Sequence, residues 1–362
     1  MRNKAVIIGA GNTGRGFIAR LARESGYNIL FIDKDKSLVR RLNEEKQYRI
    51  DFFGDIRPSF EIDRYRAVDW ENTDIDDIAE DDIIFVSVGG RNLKEAGEQF
   101  KKFTGNGIFQ VIVCENAVNA AQTFKDAAGG GIVGGRINLL VSEGTVFCTS
   151  VESEGLNILS EDYPYLQYDV EAFDNNSVAI HGLVPVIGFE DFLKRKFYTY
   201  NAASCIITYL GWIKGYKLFG EAANDPDILR MLDINYAETN MALCAEYGYS
   251  EKDQREFALI SREKFCDKNI IDTIERNARD PYRKITPEER IVGTLRFIEK
   301  HGGNTQVLEM TLAAMLMYDR DEEWNLIKET KSDERILSEI CGFSKDLPRI
   351  KRIIQCREYF EK

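Results

Sequence analysis

Two histidines, His181 and His301, are all that a chain of 362 residues contains. The scarcity bears on any mechanism that moves a proton near neutral pH, because histidine is the side chain whose ordinary pKa lies there. Together with seven cysteines that nowhere form a CxxC pair, it argues against a zinc site of His and Cys ligands, and no metal is expected. The cysteines, Cys114, Cys148, Cys205, Cys244, Cys266, Cys341 and Cys356, are odd in number and scattered, so they read as reduced thiols of a cytoplasmic protein. No apolar run approaches the roughly 20 residues needed to span a bilayer. The opening MRNKAVIIGAG lacks the long apolar stretch and small-residue cleavage site of a signal peptide. Neither membrane insertion nor secretion is expected. Clustered Lys/Arg tracts are also missing, and a net charge of −12 argues against a nucleic-acid partner. A small phosphorylated substrate stays open, since a pocket needs only a few cations.

Apolar residues make up 44% of the chain and charged residues 30%, ordinary values for a folded globular protein. The length exceeds the roughly 250 to 300 residues at which one core stops growing, so two domains are expected. Ala5 to Ile8 is a β-branched run that meets GAGNTGRGF, and FIARLARESG then carries apolar residues at helical spacing. NILFID, Asn28 to Asp33, and the helical KSLVRRLNEE follow. From Tyr48 to Val68 the pattern reads as an antiparallel excursion. DDIIFVSVGG and IFQVIVCEN then repeat the signature of strands buried on both faces. The glycine-rich GGGIVGG, Gly129 to Gly135, neither directly follows a strand nor opens a helix and reads as a connection without chemistry. After about Phe189 the texture turns helical, as in LDINYAETNMALCAEYG at 232 to 248 and VLEMTLAAMLMY at 307 to 318. The expected fold is α/β: a Rossmann-type, mostly parallel sheet over residues 1–187, and a mainly α-helical domain over 188–362.

Gly9, Gly11 and Gly14 form a GxGxxG that follows a strand and opens a helix, with Asp33 at the end of the next strand. The first glycine permits the tight turn, the second lets backbone approach a pyrophosphate, and the third allows close helix–strand packing. Phosphates would sit at the helix N-terminus. Asp33 suits the ribose 2′-OH and would repel a 2′-phosphate, which favours NAD over NADP, with Lys34 and Lys36 nearby as a counter-indication. Candidate cofactor residues are Gly9, Gly11, Asn12, Thr13, Gly14, Asp33 and Val88.

GAGNTGRGF at 9 to 17, CENA at 114 to 117, VEAF at 170 to 173, RKFYTYN at 195 to 201, ERNARDPYRKI at 275 to 285 and LAAMLMY at 312 to 318 occur in an order that resembles the polyol-specific long-chain dehydrogenases. That resemblance implies NAD-dependent interconversion of a sugar alcohol phosphate and a keto-sugar phosphate, with mannitol 1-phosphate and fructose 6-phosphate as the leading pair. A hexuronate reductase of the same family, acting on fructuronate or tagaturonate, and a catalytically impaired nicotinamide-binding regulatory protein are the competing readings. The protein would be a monomer or homodimer. The family motif K-x4-N-x2-H implies Lys196 as general base or acid. Asn201 matches the motif, and Ser204 stands where it has histidine. Resemblance also implies that Asn116 and Asn201 donate hydrogen bonds to the reacting oxygen, and that Arg276, Lys284 and Arg279 bind substrate. VSEG at 141 to 144 stands for a family VDR element, with glycine in place of its arginine and Glu143 in the place of its acid, where the resemblance implies a further substrate contact.

The residues carry a separate argument for the lysine. Removing hydride from an alcohol leaves a proton on oxygen, and a lysine of ordinary pKa about 10.4 must fall by roughly three units to accept it near neutrality. Desolvation and a neighbouring cation are the two available causes. On one continuous helix at ~100° per residue, Asn201 would lie ~140° and Ser204 ~80° around from Lys196. Taken without the resemblance, RK ahead of aromatic residues reads as a solvated helix edge whose stems snorkel.

Overall fold

The computed structural model describes residues 4–73, 78–79, 82–101, 107–116, 119–133 and 137–361. Ala117 of the CENA stretch and Gly134 and Gly135 of the glycine-rich stretch lie outside the described residues. The chain divides into two compact units, Met1–Glu190 and Asp191–Lys362.

In the first unit, strands β1 (Lys4–Ile8), β2 (Asn28–Asp33), β3 (Tyr48–Phe52), β4 (Phe60–Ile62), β5 (Tyr65–Asp69), β6 (Ile83–Val86), β7 (Gly107–Cys114), β8 (Ile132–Val133), β9 (Ile137–Thr145), β10 (Ser150–Glu152), β11 (Ile158–Ser160), β12 (Leu166–Asp169) and β13 (Leu183–Val186) form two sheets. The larger runs β13-β12-β9-β7-β6-β1-β2-β5, with β8 paired to β9. From β5 to β9 every neighbour is parallel, whereas β12 runs antiparallel to β9. Taken in chain order, those six parallel strands have the doubly wound 3-2-1-4-5-6 arrangement, whose order reverses between β1 and β6. The Rossmann-type fold expected from the sequence is therefore present.

Alternation along the strands explains the two-sided burial. Val6, Ile8, Leu30, Ile32, Ile84 and Val86 share one core with Leu93, Phe100 and Phe124, from the helices Leu93–Phe100 and Ala120–Ala127. Ile7, Phe31, Phe85 and Ile112 point the other way and pack with Phe17, Leu21, Val39 and Leu42 from the helices after β1 and β2. Strands covered on both faces must be apolar throughout, which is why their sequences lack polar alternation.

Two local expectations change. Of the strands between Tyr48 and Asp69, β3 and β4 pair antiparallel, in the smaller sheet β10-β11-β3-β4, whereas β5 joins β2 in parallel register. Strand pattern specifies a side-chain period and leaves the partner to distant residues. Here Asn43 settles the edge of β5, its side-chain amide bonding both the N–H and the carbonyl of Ala67 at 3.0 and 2.8 Å. The second change is in the stretch from Lys196 onward, where the helix Phe189–Lys196 passes through a π-turn, Phe197–Asn201, before the helix Ala202–Ile213. Gly129, Gly130 and Gly131 do form a connection, with φ of +102°, +77° and +95°.

Among the described residues the second unit contains helices and a single isolated bridge. Its central helix Ala202–Ile213 is buried nearly all round, with Ile206, Ile207 and Tyr209 inaccessible to solvent. The longest helix, Pro226–Tyr247, starts where Asp225 accepts the N–H groups of Asp227 and Ile228 and where Pro226 forgoes a donor the first turn could not use. No helix among the described residues is long and apolar enough to cross a membrane.

Glu309, on the helix Gln306–Met317, ties down the helix Leu347–Phe360. It accepts Arg349 Nε at 3.1 Å and both Arg352 Nε and a terminal nitrogen at 2.8 and 2.7 Å. Burial raises its proton affinity, but the bonds and charges of Arg352 and Arg349 outweigh that and hold the carboxyl below its ordinary pKa. A depressed folded pKa contributes stability above the unfolded value and loses it as pH falls. Glu309→Ala should lower unfolding free energy by about 3 kcal/mol at neutral pH. In urea titrations the gap from Glu309→Gln should close as the pH drops below the usual carboxylate range.

Candidate active site

β1 delivers the chain to the point where strand order reverses. Gly9 sits there at φ +97°, its N–H donating to Ile32 O at 2.8 Å, while Ser87 N–H after β6 donates to Ile8 O at 2.7 Å. A Cβ on Gly9 would lie 2.0 Å from Ser87 O, and one on Gly14 would lie 2.0 Å from Gly9 O. Both glycines are thus required by the loop's own packing. Gly11 differs: a Cβ there would meet nothing within 4 Å, so its backbone borders open space suited to a phosphate group. Asn12 and Thr13 begin the helical turn beside it and are partly exposed.

Asp33 closes the loop from the end of β2. One oxygen accepts Ala10 N–H at 2.7 Å and the other accepts Asp35 N–H at 2.9 Å, which leaves each a further lone pair for a hydroxyl. Lys34 is drawn to Glu95 at 2.8 Å and Lys36 to Glu71 at 2.5 Å, both in exposed ion pairs. Val88 follows β6, and Glu115, which the sequence reading passed over, holds that turn by accepting Gly89 N–H at 2.6 Å. Burial pushes the Glu115 carboxyl up to about 7 against backbone bonds from Gly89 and Val88. Its neighbour Asn116 is exposed. Arg15, within the glycine motif, is buried and donates to Ala10 O at 2.7 Å and Leu156 O at 2.6 Å, so the glycine loop is tied to the connection between β10 and β11.

Glu143 lies on β9, its carboxylate accepting Ala120 and Ala121 N–H at 3.2 and 3.3 Å where the helix Ala120–Ala127 begins. Burial raises its proton affinity against those same bonds. These bonds place the Glu143 carboxylate at the start of the helix Ala120–Ala127.

In the second unit the RK pair is not a solvated edge. Arg195 donates to Gln254 Oε1 at 2.7 Å and to Asp253 Oδ2 at 2.6 Å, with its guanidinium 4.3 and 4.2 Å from the ring centres of Tyr249 and Phe257. Lys196 beside it is 6% exposed. Burial, then the charges of Arg290 and Lys264, bring its pKa down to about 7.

The π-turn changes the expected angular relation of the motif. Ala202 N–H donates to Phe197 O, an i→i+5 bond, so residues five apart return closer to one face than on an α-helix. Asn201 is therefore rotated back toward Lys196 from the ~140° of a regular helix. Asn201 and Ser204 are both partly exposed, and the Ser204 carbonyl accepts the Thr208 hydroxyl at 2.6 Å.

Lys284 is the second buried amine, 4% exposed, with Nζ donating to Asn277 O at 2.5 Å and standing 5.8 Å from the Tyr209 ring centre. Burial, opposed by the Cys205 thiol and aided by Arg290 and Arg283, lowers its pKa to about 8. Arg276 and Arg279 are exposed, Arg276 holding Asp272 at 2.8 Å. The structure thus makes Lys196 and Lys284 buried amines under the influence of one guanidinium, Arg290, which no motif marked.

Comparison with known proteins fits this arrangement. Residues 3–151 match the family described as mannitol dehydrogenase Rossmann domain, and residues 189–341 match mannitol dehydrogenase C-terminal domain. Similar curated proteins include mannitol-1-phosphate 5-dehydrogenase of Shouchella clausii, 26% identical over 96% of this chain and 98% of that protein. The protein of the same name from Bacillus velezensis is 29% identical over 93% and 95%. Among solved structures, Pseudomonas fluorescens mannitol 2-dehydrogenase in ternary complex with NAD and D-mannitol shares the fold, with TM-score 0.75, 13% identity and coverage of 100% of this chain and 92% of that one. A substrate-free D-sorbitol dehydrogenase does likewise, with TM-score 0.73, 14% identity and coverage of 100% and 94%. Matched in both its units, the chain belongs to the mannitol dehydrogenase family of oxidoreductases.

Proposed function

We propose that this protein is a cytoplasmic NAD-dependent dehydrogenase that interconverts mannitol 1-phosphate and fructose 6-phosphate, with Lys196 as the group that exchanges the proton. The observation that carries the mechanism is Lys196 itself, a buried amine whose pKa falls to about 7. Near-full-length similarity to proteins named mannitol-1-phosphate 5-dehydrogenase supports the substrate pair. Seven cysteines, odd in number and scattered along the chain, fit a reducing compartment.

NAD, when bound, supplies the acceptor for the hydride that leaves the alcohol carbon. Gly11, Asn12 and Thr13 would hold its pyrophosphate at the open side of the loop, with Gly9 and Gly14 shaping that loop and Val88 beside it. Asp33 would accept the ribose hydroxyls through its remaining lone pairs. Pairing of Lys34 and Lys36 with Glu95 and Glu71 removes the nearest cations that could welcome a 2′-phosphate.

In the oxidising direction neutral Lys196 takes the hydroxyl proton as the carbon loses hydride; in reverse the ammonium returns it. An amine with a pKa near the working pH is effective in both directions. Asn116 and Asn201 donate side-chain N–H groups to the oxygen, and such donors matter most as its negative charge grows. Lys284, with Arg276 and Arg279, supplies cations for the phosphate and hydroxyls. Ser204 offers a hydroxyl that orients substrate or water, and the proton chemistry rests on the lysine.

Lys196→Ala should reduce turnover of mannitol 1-phosphate by about 10²- to 10⁴-fold while NADH binding, followed by fluorescence, persists. The working form is the neutral amine for oxidation and the ammonium for reduction. Oxidation should therefore gain rate as pH rises through about 7, and fructose 6-phosphate reduction should lose rate over the same interval. Initial rates from pH 5.5 to 9 read both limbs. Offered with NADH, fructose 6-phosphate should outrun fructose, fructuronate and tagaturonate; preferred turnover of a hexuronate would reject the substrate assignment. Asp33→Ser should raise use of NADP relative to NAD, measured as the ratio of kcat/KM values, because a carboxylate no longer repels the extra phosphate.

A further inference from the structure

Two positive charges that act on Lys196, those of Arg290 and Lys264, come from outside the helix Phe189–Lys196 that carries it. From Phe197 to Ile213, FYTYNAASCIITYLGWI, there is no lysine, arginine or histidine. Lys264 approaches from the helix Glu251–Cys266 and Arg290 from the segment before the helix Val292–Lys300. Tyr198, two residues along from Lys196, faces Tyr247, Lys194, Glu288 and Glu246. Lys284 is acted on by Cys205, Arg290, Arg283 and Asp280.

Arg290 is the charge common to both amines, and it is anchored. Its side chain is 15% exposed and that of Glu289 is 8% exposed, the two meeting at 3.4 Å. Glu289 is also held by Arg283 at 2.7 Å, and Arg283 by Asp280 at 2.6 Å. Arg290 Cζ lies 5.9 Å from the ring centre of Phe197, the residue that follows Lys196 and begins the π-turn. The carboxylate of Glu289 is shared between two guanidinium groups, so it fixes Arg290 without cancelling its field. Arginine is suited to this duty because it keeps its charge wherever it is placed, and the Glu289 carboxylate on its Nε together with the Phe197 ring limits its freedom to swing away.

We propose that Arg290 is a positioning residue for the reaction, acting on substrate through Lys196 and held in place by the chain Asp280–Arg283–Glu289. The inference rests on the reading of Lys196 as the base. Its consequence is a division of labour: burial alone would weaken the ammonium, and a fixed neighbouring cation then sets where along the pH scale the amine becomes available. The same guanidinium acts on Lys284, so the two buried amines respond together to any change at position 290.

The test compares the wild-type enzyme with Arg290→Gln, Arg290→Lys and Lys196→Ala. Two midpoints are read: that of the pH profile for mannitol 1-phosphate oxidation, and that of the Lys196 ammonium from ¹³C NMR of labelled lysine, assigned by its disappearance in Lys196→Ala. Arg290→Gln should raise both by about one unit, lowering oxidation near neutral pH about tenfold, with the rate recovering in alkali. Arg290→Lys should keep the midpoints within a few tenths of a unit. A purely structural role would depress rates at every pH and leave the midpoints where they were, and that result overturns the inference. If Arg290→Gln does not fold, Arg290→Met, which keeps the aliphatic stem and removes the charge, replaces it: both midpoints should rise as for Arg290→Gln, and unmoved midpoints overturn the inference. Wild-type turnover in Lys196→Ala would overturn the base assignment and this inference with it, whereas normal dependence on Lys196 with unmoved midpoints overturns the inference alone.

Discussion

Taking an ammonium group out of water is the constraint on which the proposed chemistry depends. Lysine in solvent holds its proton far too tightly to surrender it near neutrality, and only desolvation or like charge changes that. The second unit provides both at Lys196. Arg195, gripped by Gln254 and Asp253 and flanked by Tyr249 and Phe257, fixes the end of the helix Phe189–Lys196. The next residue is thereby committed to the interior, where Thr199, Ala202 and Ala203 are inaccessible. Residues 197 to 213 contain neither aspartate nor glutamate, and Arg290 and Lys264 add repulsion.

A complementary device recurs in the first unit. Asp33 ends β2, Glu115 follows β7, and Glu143 lies near the end of β9, each with its carboxylate on backbone N–H groups of an adjacent loop or helix start. The C-terminal edge of a parallel sheet is where loops must be presented to a ligand, and free N–H groups there need acceptors. Acids meet that need while leaving backbone geometry rigid. Arg15 does the reverse job, supplying donors to Ala10 and Leu156 carbonyls from inside the glycine motif. Several residues that look like surface charge in the sequence are therefore braces.

Much of the fold was legible because its signals are local. Apolar runs bounded by polar turns located β1, β2, β6 and β7, and the glycine spacing located the loop after β1. Partnership was not local: β5 carries the same sort of pattern as β3 and β4, yet it joins the other sheet, where β2 and the Asn43 amide receive it. The π-turn at Phe197–Asn201 was equally invisible, since one shifted hydrogen bond leaves no mark on hydrophobic period.

The candidate site divides in the same way. Residue type and order alone determined the glycine loop with its acid, the helical character of the second unit and, by resemblance, Lys196 with Asn201 and Lys284. Tertiary structure alone decided that Lys196 and Lys284 are buried, that the Glu143 carboxylate meets a helix start, and that Arg290, distant in sequence from Lys196, adds its charge to the burial acting there. Backbone preference and apolar period are set by neighbours along the chain and can be read there. Proton affinity is set by water excluded and charges gathered from remote segments, and those come together only in the folded molecule.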